Sequence, residues 1–187
     1  EIYSAMIVLG FLSYNDGYLK IPNKELMIEF EKALRDKSFG YVSEIIENSR
    51  TMLKATVNKD TETVEKILHD IHNSEIPILQ YNDENSLSCT INLAFYFARE
   101  YYTMVRELPA GKGFADVCMI PRKLHLDKPA VVIELKWDKS AAGALAQIKE
   151  KHYGNALKDY QGNLLLVGIN YDKATKKHEC VIEKIKK

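Results

Sequence analysis

Apolar side chains recur at helical spacing over the first 75 residues, and from about residue 104 they gather into short continuous runs bounded by turn residues. The stripe Leu26, Met27, Phe30 and Leu34 predicts an amphipathic helix opened by Pro22-Asn23 and running to about Lys37. A second helix is expected from Tyr41 to about Lys54. A third runs from Thr61 to about Asn73, with Val64, Ile67, Leu68 and Ile71 on one side. Ahead of these, a short apolar helix ends near Leu12, and Tyr14-Asn15-Asp16-Gly17-Tyr18 reads as a turn between two short extended pieces, with Asp-Gly as its signal. Pro77 breaks the helical pattern. Asn85 or Ser86 then caps a long helix through Leu93, Ala94 and Phe97 to about Tyr101.

The continuous runs predict strands. Met104–Leu108 leads through Pro109-Ala110-Gly111 into Gly113–Ile120 and Ala130–Trp137, whose unbroken apolar content is that of strands covered on both faces. Ser140 caps a helix to about Tyr153, and strands Leu164–Asn170 and Glu179–Ile185 follow, joined by a Lys-rich turn. Three charges stand inside the two motif runs: Asp116, Glu134 and Lys136. Burying an unpartnered charge costs several kcal/mol, so charges in such places mark a site that uses them. Alternation puts Glu134 and Lys136 on one face of their strand, with Ile133, Leu135 and Trp137 on the other. An antiparallel register joining Ile120 to Ala130 sets Asp116 opposite Glu134, and the three charges converge. Two carboxylates so placed repel unless a cation lies between them, and hard oxygen donors suit Mg2+ or Mn2+. The ammonium beside them can orient a water or stabilise the negative charge that develops in phosphodiester hydrolysis. A Glu-x-Lys triplet alone is commonplace in a chain rich in both residues. Its placement on an apolar strand, after a strand with a single Asp, gives it weight.

Three stretches, Gly111-x-Gly-Phe-Ala-Asp116, Pro129-Ala-Val-Val-Ile-Glu134-Leu-Lys136-Trp137 and Ala146-Gln147-Ile148-Lys149-x-Lys151-x-Tyr153, together resemble the PD-(D/E)XK nuclease superfamily. The closer likeness is to a bacterial branch usually found behind an ATPase-like domain. The resemblance runs over about residues 80 to 185 and includes Leu165–Tyr171. It implies that Asp116 and Glu134 are metal-binding acids for Mg2+ or Mn2+, that Lys136 is the catalytic lysine, and that Glu84 and Gln147 are an outer acid and a polar residue on the helices flanking the sheet. It also implies nucleic acid, DNA in the first place, as substrate, and an N-terminal ATPase-like domain as partner. Two departures stand out: Ala115 replaces the name-giving Pro, and Lys151 stands where one nuclease subgroup carries Tyr.

Composition adds charge asymmetry. The net charge is zero, yet residues 1–75 carry 9 Lys and Arg against 13 Asp and Glu, and residues 76–187 carry 17 against 13. The basic excess therefore accompanies the motif, and Lys112, Arg122, Lys149 and Lys151 are the expected contacts to a phosphate backbone. The same lysines would also serve as an ordinary solvated surface. Cys89, Cys118 and Cys180 are odd in number and set among apolar residues, which predicts buried thiols in a cytoplasmic protein. His69 and His72 lie three apart on a helix, but no third ligand is spaced to join them. Tyr101, Tyr102, Tyr153, Tyr160 and Tyr171 adjoin apolar runs and read as core before they read as base-stacking platforms. No run reaches the ~20 apolar residues of a membrane span, and the start without Met suggests a piece of a longer chain. The expected architecture is α+β: a small helical linker region at 1–75, then a restriction-endonuclease-like αβββαβ core at 76–187 with a mixed sheet flanked by helices. The expected activity is metal-dependent cleavage of nucleic acid. The alternatives are a catalytically weak nucleic-acid-binding module or a regulatory protein-interaction module of the same fold.

Overall fold

The computed structural model describes residues 2–35, 41–75, 84–110, 113–150, 157, 160 and 163–185. The chain forms two compact units, Glu1–Ile46 and Glu47–Lys187. The first holds α1 (Ile2–Val8), a two-stranded hairpin of β1 (Ser13–Asn15) and β2 (Tyr18–Lys20), and α2 (Lys24–Arg35). Asp16 and Gly17 close the hairpin with φ of 50° and 83°, the left-handed pair that a two-residue turn requires. Asn23 caps α2, its side-chain oxygen accepting the Leu26 N–H at 2.8 Å.

The second unit opens within α3 (Tyr41–Asn58) and continues with α4 (Thr61–Glu75), α5 (Glu84–Ala94), β3 (Tyr102–Ala110), β4 (Gly113–Pro121), β5 (Ala130–Trp137), α6 (Ala141–Glu150), β6 (Leu164–Asp172) and β7 (Lys177–Lys184). The strands form one mixed sheet in the order β3-β4-β5-β6-β7, parallel only between β5 and β6. That parallel pair is joined through α6, as a parallel connection demands. The result is the α+β, restriction-endonuclease-like order of helix, three strands, helix and strand, with β7 added at one edge.

Each sheet face has its own core. Met52, Leu68, Leu87 and Ile91 from α3, α4 and α5 pack with Val117, Ile133 and Val167 on one face. Leu145 and Ile148 of α6 pack with Cys118, Val132 and Leu166 on the other. Residues Ala130 to Leu135 of β5 and Leu164 to Tyr171 of β6 are buried throughout, which explains their unbroken apolar runs. Pro109 is tolerated in β3 because that strand is a sheet edge.

The helix expected to reach Tyr101 is α-helical only to Ala94 and continues as a 3-10 turn over Tyr96–Glu100. The cause is tertiary: Phe95 and Ala98 are fully buried, and the Phe97 N–H donates to the Ser49 hydroxyl at 2.7 Å instead of to an intrahelical carbonyl. Among the described residues, no helix is long and apolar enough to cross a membrane.

Candidate active site

The β4–β5 ladder pairs Val117 with Ile133, Cys118 with Val132 and Met119 with Val131, the register that sets Asp116 opposite Glu134. The ladder ends one step short of that pair. Asp116 is also skipped by β3, where pairing jumps from Arg106↔Val117 to Leu108↔Ala115. The residue left facing it, Glu107, takes a left-handed φ of 53°. On each strand the inward positions slip by one: Ala115 and Cys118, three apart, share a cluster, as do Val105 and Leu108. Such ladder breaks re-aim a side chain. Here the Asp116 carboxylate takes the place of a ladder acceptor, receiving the Leu135 N–H on Oδ2 at 2.7 Å.

Glu134 is 1% exposed and lies on the face covered by α6. Its Oε1 meets Lys136 Nζ at 3.3 Å and accepts a short hydrogen bond from the Gln147 side-chain amide of α6. Helix α6 comes close enough for that contact because its neighbour in the sheet is Gly168, which the β5–β6 register places beside Glu134. A Cβ at Gly168 would run into the Ala141 carbonyl and approach Leu145 N within 2.9 Å. The N-terminus of α6 is pinned three ways. The Ser140 hydroxyl accepts the Gly143 N–H at 3.0 Å, the Glu179 carboxylate accepts the Ala141 N–H at 2.9 Å, and the Asn170 side-chain oxygen accepts the Lys139 N–H at 3.0 Å. The carboxylates also reach the thiol of Cys118. Burial first, then the charges of Glu134 and Asp116, push that thiol up to about 12.

Two acids and a lysine on adjoining strands, with an amide delivered by the crossing helix, match a known family. A profile of the PD-(D/E)XK nuclease superfamily matches residues 82–180. The chain belongs to that superfamily. No curated protein gives a match. Members of the superfamily generally use divalent metals, and the matched span contains Glu84, Asp116, Glu134, Lys136 and Gln147. Among the described residues no group of three His, Cys, Asp or Glu gathers as metal ligands. Asp116 and Glu134 are two hard-oxygen donors from facing register positions, and that donor chemistry fits Mg2+ or Mn2+.

Of the other expected site residues, Glu84 begins α5, but its side chain lies outside the described residues, as do Lys112 and Lys151. Arg122 and Lys149 are exposed, Lys149 in a surface pair with Glu183 at 2.7 Å. Tyr102 and Tyr171 are buried and Tyr160 points its hydroxyl at the Pro121 carbonyl, so these rings are structural. His72 packs against Tyr171 and His178. Asn170 and Glu179 escape sequence reasoning as supports of α6. Their signals were a lone polar residue at the end of an apolar strand and an acid next to it in the sheet register. Gly168, an isolated glycine in a strand, carried the usual mark of close backbone approach.

Proposed function

We propose that the chain is a nuclease domain that hydrolyses phosphodiester bonds of nucleic acid, with Asp116 and Glu134 holding Mg2+ or Mn2+. The observation that carries the proposal is the convergence of Asp116, Glu134 and Lys136 around Leu135, with one carboxylate almost completely buried. Charge of that density in a sheet interior is costly even when paired, and its retention there points to a site that uses it. A divalent ion there would supply a Lewis acid against phosphoryl oxygen and lower the pKa of a bound water.

The chain's own groups have distinct tasks in this reading. Asp116 is aimed by its hydrogen bond from Leu135 N, and Glu134 by the amide of Gln147. Lys136 keeps an ammonium at the rim of the buried patch, its side chain 13% exposed. From there it donates to an entering water or to a phosphoryl oxygen and meets the negative charge that grows in the transition state. Glu84 serves as an outer acid from α5. Arg122 and Lys149, with Lys112 and Lys151, supply cationic contacts to the backbone of the polymer. The substrate we favour is DNA. We assign catalysis to residues 76–187, with 1–75 as a helical linker to an ATPase-like domain in a cytoplasmic protein.

The test is incubation of the purified protein with single- and double-stranded DNA and RNA, in EDTA, Mg2+ or Mn2+. Cleavage that needs the metal and disappears in Asp116→Asn is the expected result. Binding in EDTA without cleavage in either metal would replace this reading by a binding module of the same fold. Neither binding nor cleavage would leave the protein-interaction module.

A further inference from the structure

On the sheet face opposite α6, α3 and the 3-10 turn after α5 line an open cavity of about 260 Å3. Its wall alternates cations with aromatic rings. The Arg50 guanidinium lies 4.7 Å from the centroid of Phe97, and Lys128 Nζ lies 4.6 Å from that of Tyr101. The two rings meet edge to face at 5.8 Å. Lys54 contributes a third cation from α3.

Arg50 is balanced by Glu47 at 3.1 Å. Among the described residues neither Lys54 nor Lys128 has an acidic partner at salt-bridge distance, though exposed Asp127 adjoins Lys128 in the loop. Tyr102, fully buried in the wall, has a hydroxyl with no hydrogen-bond partner among the described residues.

We infer that this cavity is a nucleotide-binding site separate from the Asp116–Glu134 centre, taking a flat base on the Arg50 guanidinium plane that covers Phe97, with the Tyr101 ring beside it, and its phosphate on Lys54 and Lys128. The chemistry fits in three respects. Guanidinium planes and aromatic rings are the groups on which unstacked bases lie. Ammonium groups without acidic partners are available to a phosphate. The volume of about 260 Å3 lies near the lower end of the ~300–1,000 Å3 of small-ligand sites, which suits one nucleotide. The ligand is either a free nucleoside monophosphate or one nucleotide of a single strand.

Titration calorimetry in EDTA, where no metal-dependent cleavage can intrude, tests the site independently of the nuclease reading. AMP and UMP are the probes, with adenosine and inorganic phosphate as the half-ligands. Binding of the monophosphates at least tenfold tighter than either half-ligand is expected, with a tenfold or greater loss in Lys54→Ala/Lys128→Ala. Tyr101→Leu keeps the apolar contact and removes the ring face, so it should weaken AMP more than phosphate. Competition with oligo-dT separates the sources: displacement of AMP assigns the site to a nucleic-acid strand, and coexistence assigns it to a free nucleotide. Monophosphates that bind no better than phosphate, or with affinity unchanged in the lysine variant, would overturn the inference.

Discussion

Glu134 keeps a carboxylate in the sheet interior at 1% exposure, and its immediate neighbours compensate the lost hydration: an ammonium 3.3 Å away and the Gln147 amide. Removing the cation alone leaves a buried charge without its counter-ion, a change that costs on the order of 3 kcal/mol. Lys136→Met should therefore lower thermal stability as well as activity, and adding Glu134→Gln should restore most of the stability without the activity. Cleavage by Lys136→Met should fall ~100-fold or more, the scale of losing one electrostatic group. Asp116→Asn behaves differently, because the amide oxygen can still accept the Leu135 N–H. It should fold almost normally and lack the stabilisation by Mn2+ expected of the parent in thermal melts. Equal cleavage by Lys136→Met and the parent would make the lysine a structural ion-pair partner only.

At the scale of elements, the site depends on how closely α6 lies on β6. Gly168 permits that approach, and Ser140, Glu179 and Asn170 fix where the helix begins. Gly168→Ala must push the helix outward or distort the sheet, at a cost of about 1–3 kcal/mol typical of overpacking. Because Gln147 rides on α6, cleavage should decline further than the stability loss alone explains. A structure of Gly168→Ala with α6 unmoved would contradict this account. The strained turn at Glu107 is a second element-scale feature. A non-glycine residue at φ 53° is held there by the ladder break that turns Asp116 out of register. Glu107→Gly removes the local strain, so chemical denaturation should show equal or slightly higher stability.

At the scale of the whole sheet-bearing unit, α4 is fastened to β7 by buried histidines and by a carboxylate that caps a backbone N–H. His72 stacks near Tyr171 and His178, and the Glu65 carboxylate accepts the Cys180 N–H at 2.8 Å. Burial, then the neighbouring His72 and His69, holds the His178 imidazole down to about 3, and burial lowers His72 as well. Unfolded histidine titrates near 6.5. Between those values the unfolded chain binds a proton that the folded chain refuses, so the stability contributed by these residues is present above about pH 6.5 and is lost as pH falls. Denaturation midpoints should drop from pH 7 to pH 5, a range in which most carboxylates stay ionised. In His178→Phe that drop should shrink; an unchanged slope would place the acid sensitivity elsewhere.

The sequence alone determined where the strands lie along the chain and which positions of β4 and β5 face one another. Short continuous apolar runs between turn residues read as covered strands, and the hairpin register joining Ile120 to Ala130, which sets Asp116 opposite Glu134, is the one the β4–β5 ladder follows. The superfamily was legible for the same reason, since its motif is written in adjacent positions of two strands. Tertiary structure decided what depends on distant partners. Ser49 ended the α-helical geometry after Ala94, Glu107 and Asp116 broke the ladder together, and Asn170 and Glu179 anchored a helix 31 and 38 residues away in sequence. Likewise Arg50, Phe97, Tyr101 and Lys128 form one wall only once α3 and the β4–β5 loop meet. Local pattern fixes which face a side chain takes, whereas hydrogen bonds and close approaches between elements depend on angles and separations that no local period encodes.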